Sequence, residues 1–227
     1  MRSYFTSIIG YVFLVLFLAV AGAVFCYTTL FSMSADMTSF FTFMLFFSAI
    51  ALPLLTMKSF SEERKARTEQ LLLTAPVSLT GMVLGKFLAA MTVFAGAALF
   101  TGLYALVLIP YASLKVWLLF GNIVSILLVG MTFITIGLFV SAMTENQLTA
   151  AVGTIAIILA FLGISLINSL LPSAYWLRYV FNCLSLFSRY QSFVNGIFDV
   201  SALVYYISVS GIFLYLTVRI YDRRRYN

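Results

Sequence analysis

Apolar residues run along this chain in long unbroken blocks, set apart by short polar interruptions. Six blocks stand out, at roughly 7–31, 38–57, 81–109, 115–142, 148–170 and 199–220. Each reaches the length of about 20 residues that a helix needs to cross a bilayer. Phe, Ile and Val, abundant in the blocks, would favour strands in water. In hydrocarbon, however, every backbone polar group must be bonded within the segment, so the blocks are predicted to be helices. The short alternating segments of a transmembrane barrel are missing from the pattern.

Composition agrees, with 63% of residues hydrophobic and 9% charged, against about 45–50% and about 25% in a typical globular protein. The expectation is an all-α membrane protein of six transmembrane helices, with residues 1–227 forming a single domain. The first block is too long for a signal-peptide core and lacks a small-residue cleavage site behind it, so it counts as a span. A net charge of +6 could suggest nucleic acid, but the cations sit at segment ends, where they report orientation instead. With the N-terminus inside, the cytoplasmic face holds Arg2, Lys58, Arg64, Lys65, Arg67, Lys86, Arg219, Arg223, Arg224 and Arg225. The outer face holds only Lys115, Arg178 and Arg189. This asymmetry places both termini in the cytoplasm.

Two substantial stretches lie outside the spans. The outer one, LPSAYWLRYVFNCLSLFSRYQSFVNGIFD, is too polar to span and too aromatic for a free loop. Short re-entrant or interfacial helices between spans five and six are expected there. The cytoplasmic one, near 58–80, concentrates Lys58, Glu62, Glu63, Arg64, Lys65, Arg67 and Glu69 in a chain otherwise poor in charge. Ser59 and Glu62 have the spacing of a capping box, which predicts a helix from Ser59 to about residue 75. Glu63 and Arg67 follow at i,i+4 with the acid first. Pro76 ends the run, and Ser78 or Thr80 is placed to cap the next span. An amphipathic connector on the lipid surface would carry fewer acids, so three glutamates among the cations suit a protein partner better.

Catalytic chemistry has little to work with. The chain contains no histidine, which removes Ser–His and Cys–His pairs and the HExxH metal site. Cys26 and Cys183 lack metal-ligand spacing and are expected to pack as small hydrophobes, while a disulfide between them is not readable from spacing. GMVLGK, Gly81 to Lys86, departs from a phosphate loop twice, because its glycines stand one residue too close and Phe87 follows the lysine. Its two glycines fit either a tight helix start or a small-xxx-small packing face. Asp36, Glu145, Asp199 and Asp222 fall at segment ends, and Lys86 can snorkel to the surface from just inside its span. A proton-coupled carrier would place charge inside the membrane. Sodium coupling through carbonyls and hydroxyls stays open.

Three stretches resemble the permeases of ABC-2 type transporters. SEERKARTEQLLLTAPVSLTGMVLGKFLAA, Ser61 to Ala90, is similar to that family's connector between its second and third helices. SAMTENQLTAAVG, Ser141 to Gly153, carries the "TEN" turn between helices four and five. Leu184 to Arg225 resembles the end of permeases of the gliding-motility and nitrous-oxide-accessory branch. The family usually begins with an elbow helix, and here only MRSYFTS precedes the first span. That element is expected to be shortened, or the true start to lie upstream of Met1.

The resemblance implies the membrane subunit of an ABC exporter in a bacterial inner membrane. Two permease chains, identical or related, would sit on separate cytoplasmic ATPase subunits, which bind the ATP and Mg; this chain would hold no cofactor or metal and would not be an enzyme itself. Coupling to the ATPase falls to Glu62, Glu63, Arg64 and Arg67 on the connector and to Glu145 and Asn146 in the turn. The substrate path lies between the first, second and fifth helices, where Tyr27, Thr28, Ser48 and Asn168 bear polar groups. Helix–helix hydrogen bonding is the plainer role for those four. The aromatic outer segment could gate exit or receive an accessory outer-face protein. A non-transporting scaffold that anchors a cytoplasmic partner, or an ion-coupled carrier, would use the same spans differently. Fold does not choose among drug, peptide, lipid, polysaccharide and motility-machinery roles.

Overall fold

The structure, a computed structural model, describes residues 8–31, 37–66, 78–104, 116–170, 185–196 and 198–226. Helix α1 runs over Ile8–Phe25 and continues as a π-helical turn at Cys26–Leu30. Then follow α2 (Thr38–Thr56), α3 (Lys58–Lys65), α4 (Leu79–Gly102), α5 (Val116–Met143), α6 (Gln147–Leu170), α7 (Leu186–Val194) and α8 (Val200–Tyr226). Among the described residues, six helices are long and apolar enough to cross a membrane. They coincide with the six predicted blocks, and no strand appears among the described residues.

Helix α5 is the hub. Its span is the most buried of the six, and it packs against α2, α3, α4, α6, α7 and α8. Helix α1 lies to one side, on α2 and α4. Aromatic side chains fill that seam, with Phe17 edge-on to Phe94 at 5.9 Å and tilted against Phe47 at 5.7 Å. Rings suit the task, since each fills a large volume with few rotatable bonds.

Glycines on α5 decide how close its neighbours come. A Cβ at Gly130 would stand 1.9 Å from Phe94 Cε1, so the Phe94 ring of α4 occupies the space a side chain would need. At Gly137 the corresponding atom would meet Thr56 Oγ1 at 2.1 Å, which lets α2 cross α5 closely. Polar side chains on α5 are buried with it. Ser125, Thr132 and Thr135 donate to the carbonyls of Asn122, Val129 and Thr132 at 3.2, 2.7 and 2.8 Å, consuming their hydroxyls within the helix.

Helix α7 is a short helix within the aromatic stretch, and its Leu186, Tyr190, Phe193 and Val194 are buried against α5 and α6. The three- to four-residue spacing of these apolar residues gives the helix one apolar face, and the bundle takes it. The rest of that segment, residues 171–184 with Cys183, lies outside the described residues, as do residues 1–7. Cys26 does not pack as a small hydrophobe; it is an exposed free thiol. Helix α8 runs on beyond the expected end near residue 220, because Tyr221 and Arg224 find partners in the bundle.

Gly130→Ala tests the α4–α5 fit. It is expected to lower stability by about 1–3 kcal/mol, read as a lower melting temperature in detergent. Pairing it with Phe94→Leu should recover part of the loss. Gly163→Ala, with open space around the added carbon, should leave melting unchanged.

Candidate functional site

At one end of the bundle, α3, the start of α4, the end of α5 and the end of α8 converge. The convergence begins with a flaw in a helix. Pro53 inside α2 has no N–H to donate, and Thr56 Oγ1 turns back to the Leu52 carbonyl at 3.0 Å. The chain then breaks at Met57 before α3 begins. A break of this kind frees backbone donors and acceptors that a buried position cannot leave bare.

Ser141 of α5 answers three of them. Its hydroxyl accepts from Phe60 N and Ser61 N, both at 3.1 Å, and donates to the Met57 carbonyl at 3.0 Å. Ser61 Oγ donates to that same carbonyl. The capping box expected from Ser59 and Glu62 therefore does not form. Its premise is a helix with a free N-terminus, whereas α3 follows α2 directly and receives its cap from another helix. Ser59 Oγ is buried without a hydrogen-bond partner. Ser141 belongs to the functional set and was missed, since nothing in its local sequence marks a residue that caps a helix some 80 positions away.

Phe60 fixes α3 to the bundle. It is fully buried, with its ring 5.0 Å from that of Tyr221 on α8 and Lys86 Nζ 4.1 Å from its centroid. Lys86 does not simply snorkel into headgroups. It pairs with Glu63 and donates to the Ser59 carbonyl, so the GK opening of α4 clamps α3 from the side. Glu63 reaches across to α4, and its expected partner Arg67 lies outside the described residues.

The last turn of α5 exposes carbonyls that point at the same place. Arg64 Nη1 donates to the Met143 carbonyl at 2.6 Å, and Arg224 Nη2 to that of Ala142 at 2.8 Å. Thr144 closes back on Val140 through both its N–H and its hydroxyl. Two cations thus sit on the negative end of α5, where carbonyls lack partners and the helix dipole favours positive charge. Arg64 also bridges to Glu145 at 2.9 Å. The two elements singled out by the sequence, the connector and the TEN turn, are in direct contact through one guanidinium.

The remaining candidates divide. Glu62 is exposed on α3. Asn146 caps α6, its Oδ1 accepting from Leu148 N at 3.0 Å. Arg67 and the rest of the expected helix to residue 75 lie outside the described residues. Tyr27 and Thr28, on the π-helical turn, line an open recess of about 440 Å3 with Phe31, Ser39 and Phe43. Ser48 is buried and donates to the Met44 carbonyl at 2.6 Å within its own helix, so this bond is not the helix–helix contact foreseen for it. Asn168 lies within α6, and its side chain is outside the described part. Of the two readings of GMVLGK, the close approach expected of a packing face is missing among the described residues. A Cβ on Gly85 would meet nothing, while one on Gly81 would crowd Ser78 Oγ at 2.7 Å, as at a tight helix start.

Residues 26–221 match the model of the ABC-2 family transporter protein. The chain belongs to that family. It is a multi-pass membrane protein and the membrane component of an ABC transporter, a class that works with an ABC ATPase. No curated protein matches the chain. For this ABC-2 transporter subunit the converging end acquires meaning, because the matched region contains every residue of the cluster except Arg224.

Ser141→Ala should cost about 1–3 kcal/mol, the usual penalty for buried donors left without an acceptor. Ser141→Thr, which keeps the hydroxyl, should recover part of it. A double-mutant cycle on Arg64 and Glu145 should return less than about 1 kcal/mol of coupling, because the carboxylate is largely exposed. Arg64→Ala alone should exceed Glu145→Ala, since it also strips the Met143 carbonyl. Thermal melting in detergent reads all of these.

Proposed function

We propose that this chain is the permease of an ABC exporter, with the α3 end facing the cytoplasm and a separate ATPase docked on α3 and the Thr144–Asn146 turn. The observation that carries the reading is the Arg64 guanidinium, which holds Glu145 and the Met143 carbonyl together. A lever must not yield before what it moves. With α3 tied to α5, α4 and α8, a push on its outer face reaches three membrane helices at once, and α5 passes it to the rest. Coupling between sites requires an element that differs between two states, and this tied end is rigid enough to move as a unit.

Within that reading the charges have separate tasks. Glu63 and Arg64 work mainly inside the chain, through Lys86 and Glu145. Glu62, exposed on the outer face of α3, is the carboxylate offered to the ATPase, and Arg67 would extend the same surface. Charge at such a rim sets partner choice and register more than affinity. ATP and Mg belong to the ATPase subunit. A second permease chain completes the path, with Tyr27 and Thr28 at its wider end, where the π-helical turn opens the recess beside α2. π-Helical turns inside helices recur at functional sites. The gliding-motility and nitrous-oxide-accessory permeases remain the branch that Leu184 to Arg225 resembles.

Charge reversal tests the assignment. Glu62→Arg should reduce the ABC ATPase that co-purifies with the permease by about tenfold, equivalent to about 1.4 kcal/mol, with melting of the permease unchanged. Glu63→Ala should instead lower melting, because it releases Lys86. Full ATPase recovery and activity with Glu62→Arg would overturn the docking role.

A further inference from the structure

The arginines at the end of α8 are not equivalent. Arg224 turns inward to the Ala142 carbonyl, while Arg219, Arg223 and Arg225 are exposed. Arg219 and Arg223 stand one turn apart and continue a stripe formed by Val204, Ile212, Tyr215 and Leu216, all exposed. The opposite face of α8, with Tyr206, Ser210, Thr217 and Tyr221, is buried. On a helix that crosses a membrane, an exposed apolar stripe of this kind is covered by acyl chains. At about 1.5 Å per residue, Arg219 lies roughly 28 Å along the helix from Val200, close to the hydrocarbon thickness of about 30 Å. The guanidinium therefore stands where acyl chains give way to headgroups, with Arg223 one turn beyond.

Local geometry holds Arg219 in that position. Its Nε donates to Tyr215 Oη at 3.0 Å, and its guanidinium lies 5.7 Å from the centre of that ring. Tyrosine at this depth is the usual interfacial anchor. Asp222 approaches Nη1 at 3.5 Å, an exposed pair of little strength, and it leaves three arginines against one carboxylate.

We infer that Arg219 and Arg223 form a binding site for the headgroup phosphate of an anionic phospholipid whose chains lie along the Val204–Leu216 stripe. Arginine suits the role because its planar fork pairs with phosphate oxygens in two places. The site is independent of the ATPase and of transport.

The test uses the purified full chain in nonionic detergent, titrated with phosphatidylglycerol or phosphatidylcholine. Bound lipid is counted by native mass spectrometry, and melting is followed in parallel. The wild type should prefer phosphatidylglycerol by about tenfold, as expected for two cations at an anionic surface. Arg219→Gln with Arg223→Gln should bring the preference below about twofold without changing melting in the absence of lipid, and the double Lys variant, which keeps the charge but not the fork, should retain only part of it. Should the double variant not fold, Arg223→Gln alone should lose about threefold. A preference that survives the Gln substitutions overturns the site. So does displacement of phosphatidylglycerol by millimolar inorganic phosphate, which would mark a free-anion site. Loss of a dimer in the lipid-free Gln variant also overturns it, because a second copy would then cover the stripe.

Discussion

A buried helix cannot be broken without supplying partners to the groups the break sets free. That constraint governs the α3 end of this permease. Pro53 and Thr56 weaken the end of α2, the hydrogen-bond ladder is interrupted at Met57, and three backbone groups are bonded outside it. One hydroxyl, that of Ser141, takes the place of the missing ladder. Because Ser141 rides on α5, the repair ties the broken helix to the centre of the bundle. Phe60, Lys86, Arg64 and Arg224 then gather round a junction already fixed. A straight continuation of α2 would need none of them, but it would also leave nothing for a partner to grip.

The spans were legible because hydrocarbon reduces the choice of backbone to helix, and runs of apolar residues then suffice. Their ends were less so. Helix α8 outruns its apolar stretch because Tyr221 packs against Phe60 and Arg224 reaches Ala142, contacts that no local pattern announces. The connector and the TEN turn could be found as charged islands, and the family resemblance gave them a common purpose. Their direct meeting through Arg64 and Glu145 could not be read, since a spacing of about 80 residues carries no periodic signal. The capping box misled for a related reason. The pattern Ser59–Glu62 is informative only where a helix begins in solvent, and here the cap comes from elsewhere. Aromatic content marked the short helix α7, but its packing against α5 and α6 could not be read from the rings alone.

Charge in this protein divides into two populations that composition cannot separate. Arg64, Lys86 and Arg224 spend their donors on carbonyls and two carboxylates within the fold. Glu62, Arg219 and Arg223 face outward. The first group has fixed geometry and shapes the bundle, while the second is free to meet other molecules. The positive-inside count treats both alike, so it bears on orientation and says nothing about contact.

The double grip of Arg64, on the turn after α5 and on the last carbonyl of α5 itself, has a consequence for heredity. If α3 docks an ATPase as proposed, the docking segment is not a transferable module. Replacing residues 58–65 with the connector of another permease would carry away the cation that closes α5 and the nail that holds α8. A lineage changing its ATPase partner must therefore alter the outer face of α3, at positions such as Glu62, while its inner face stays matched to residues 141–145 and 221–224. Partner choice is free to drift on one side of a single short helix, and the other side is held in place by the membrane domain it serves.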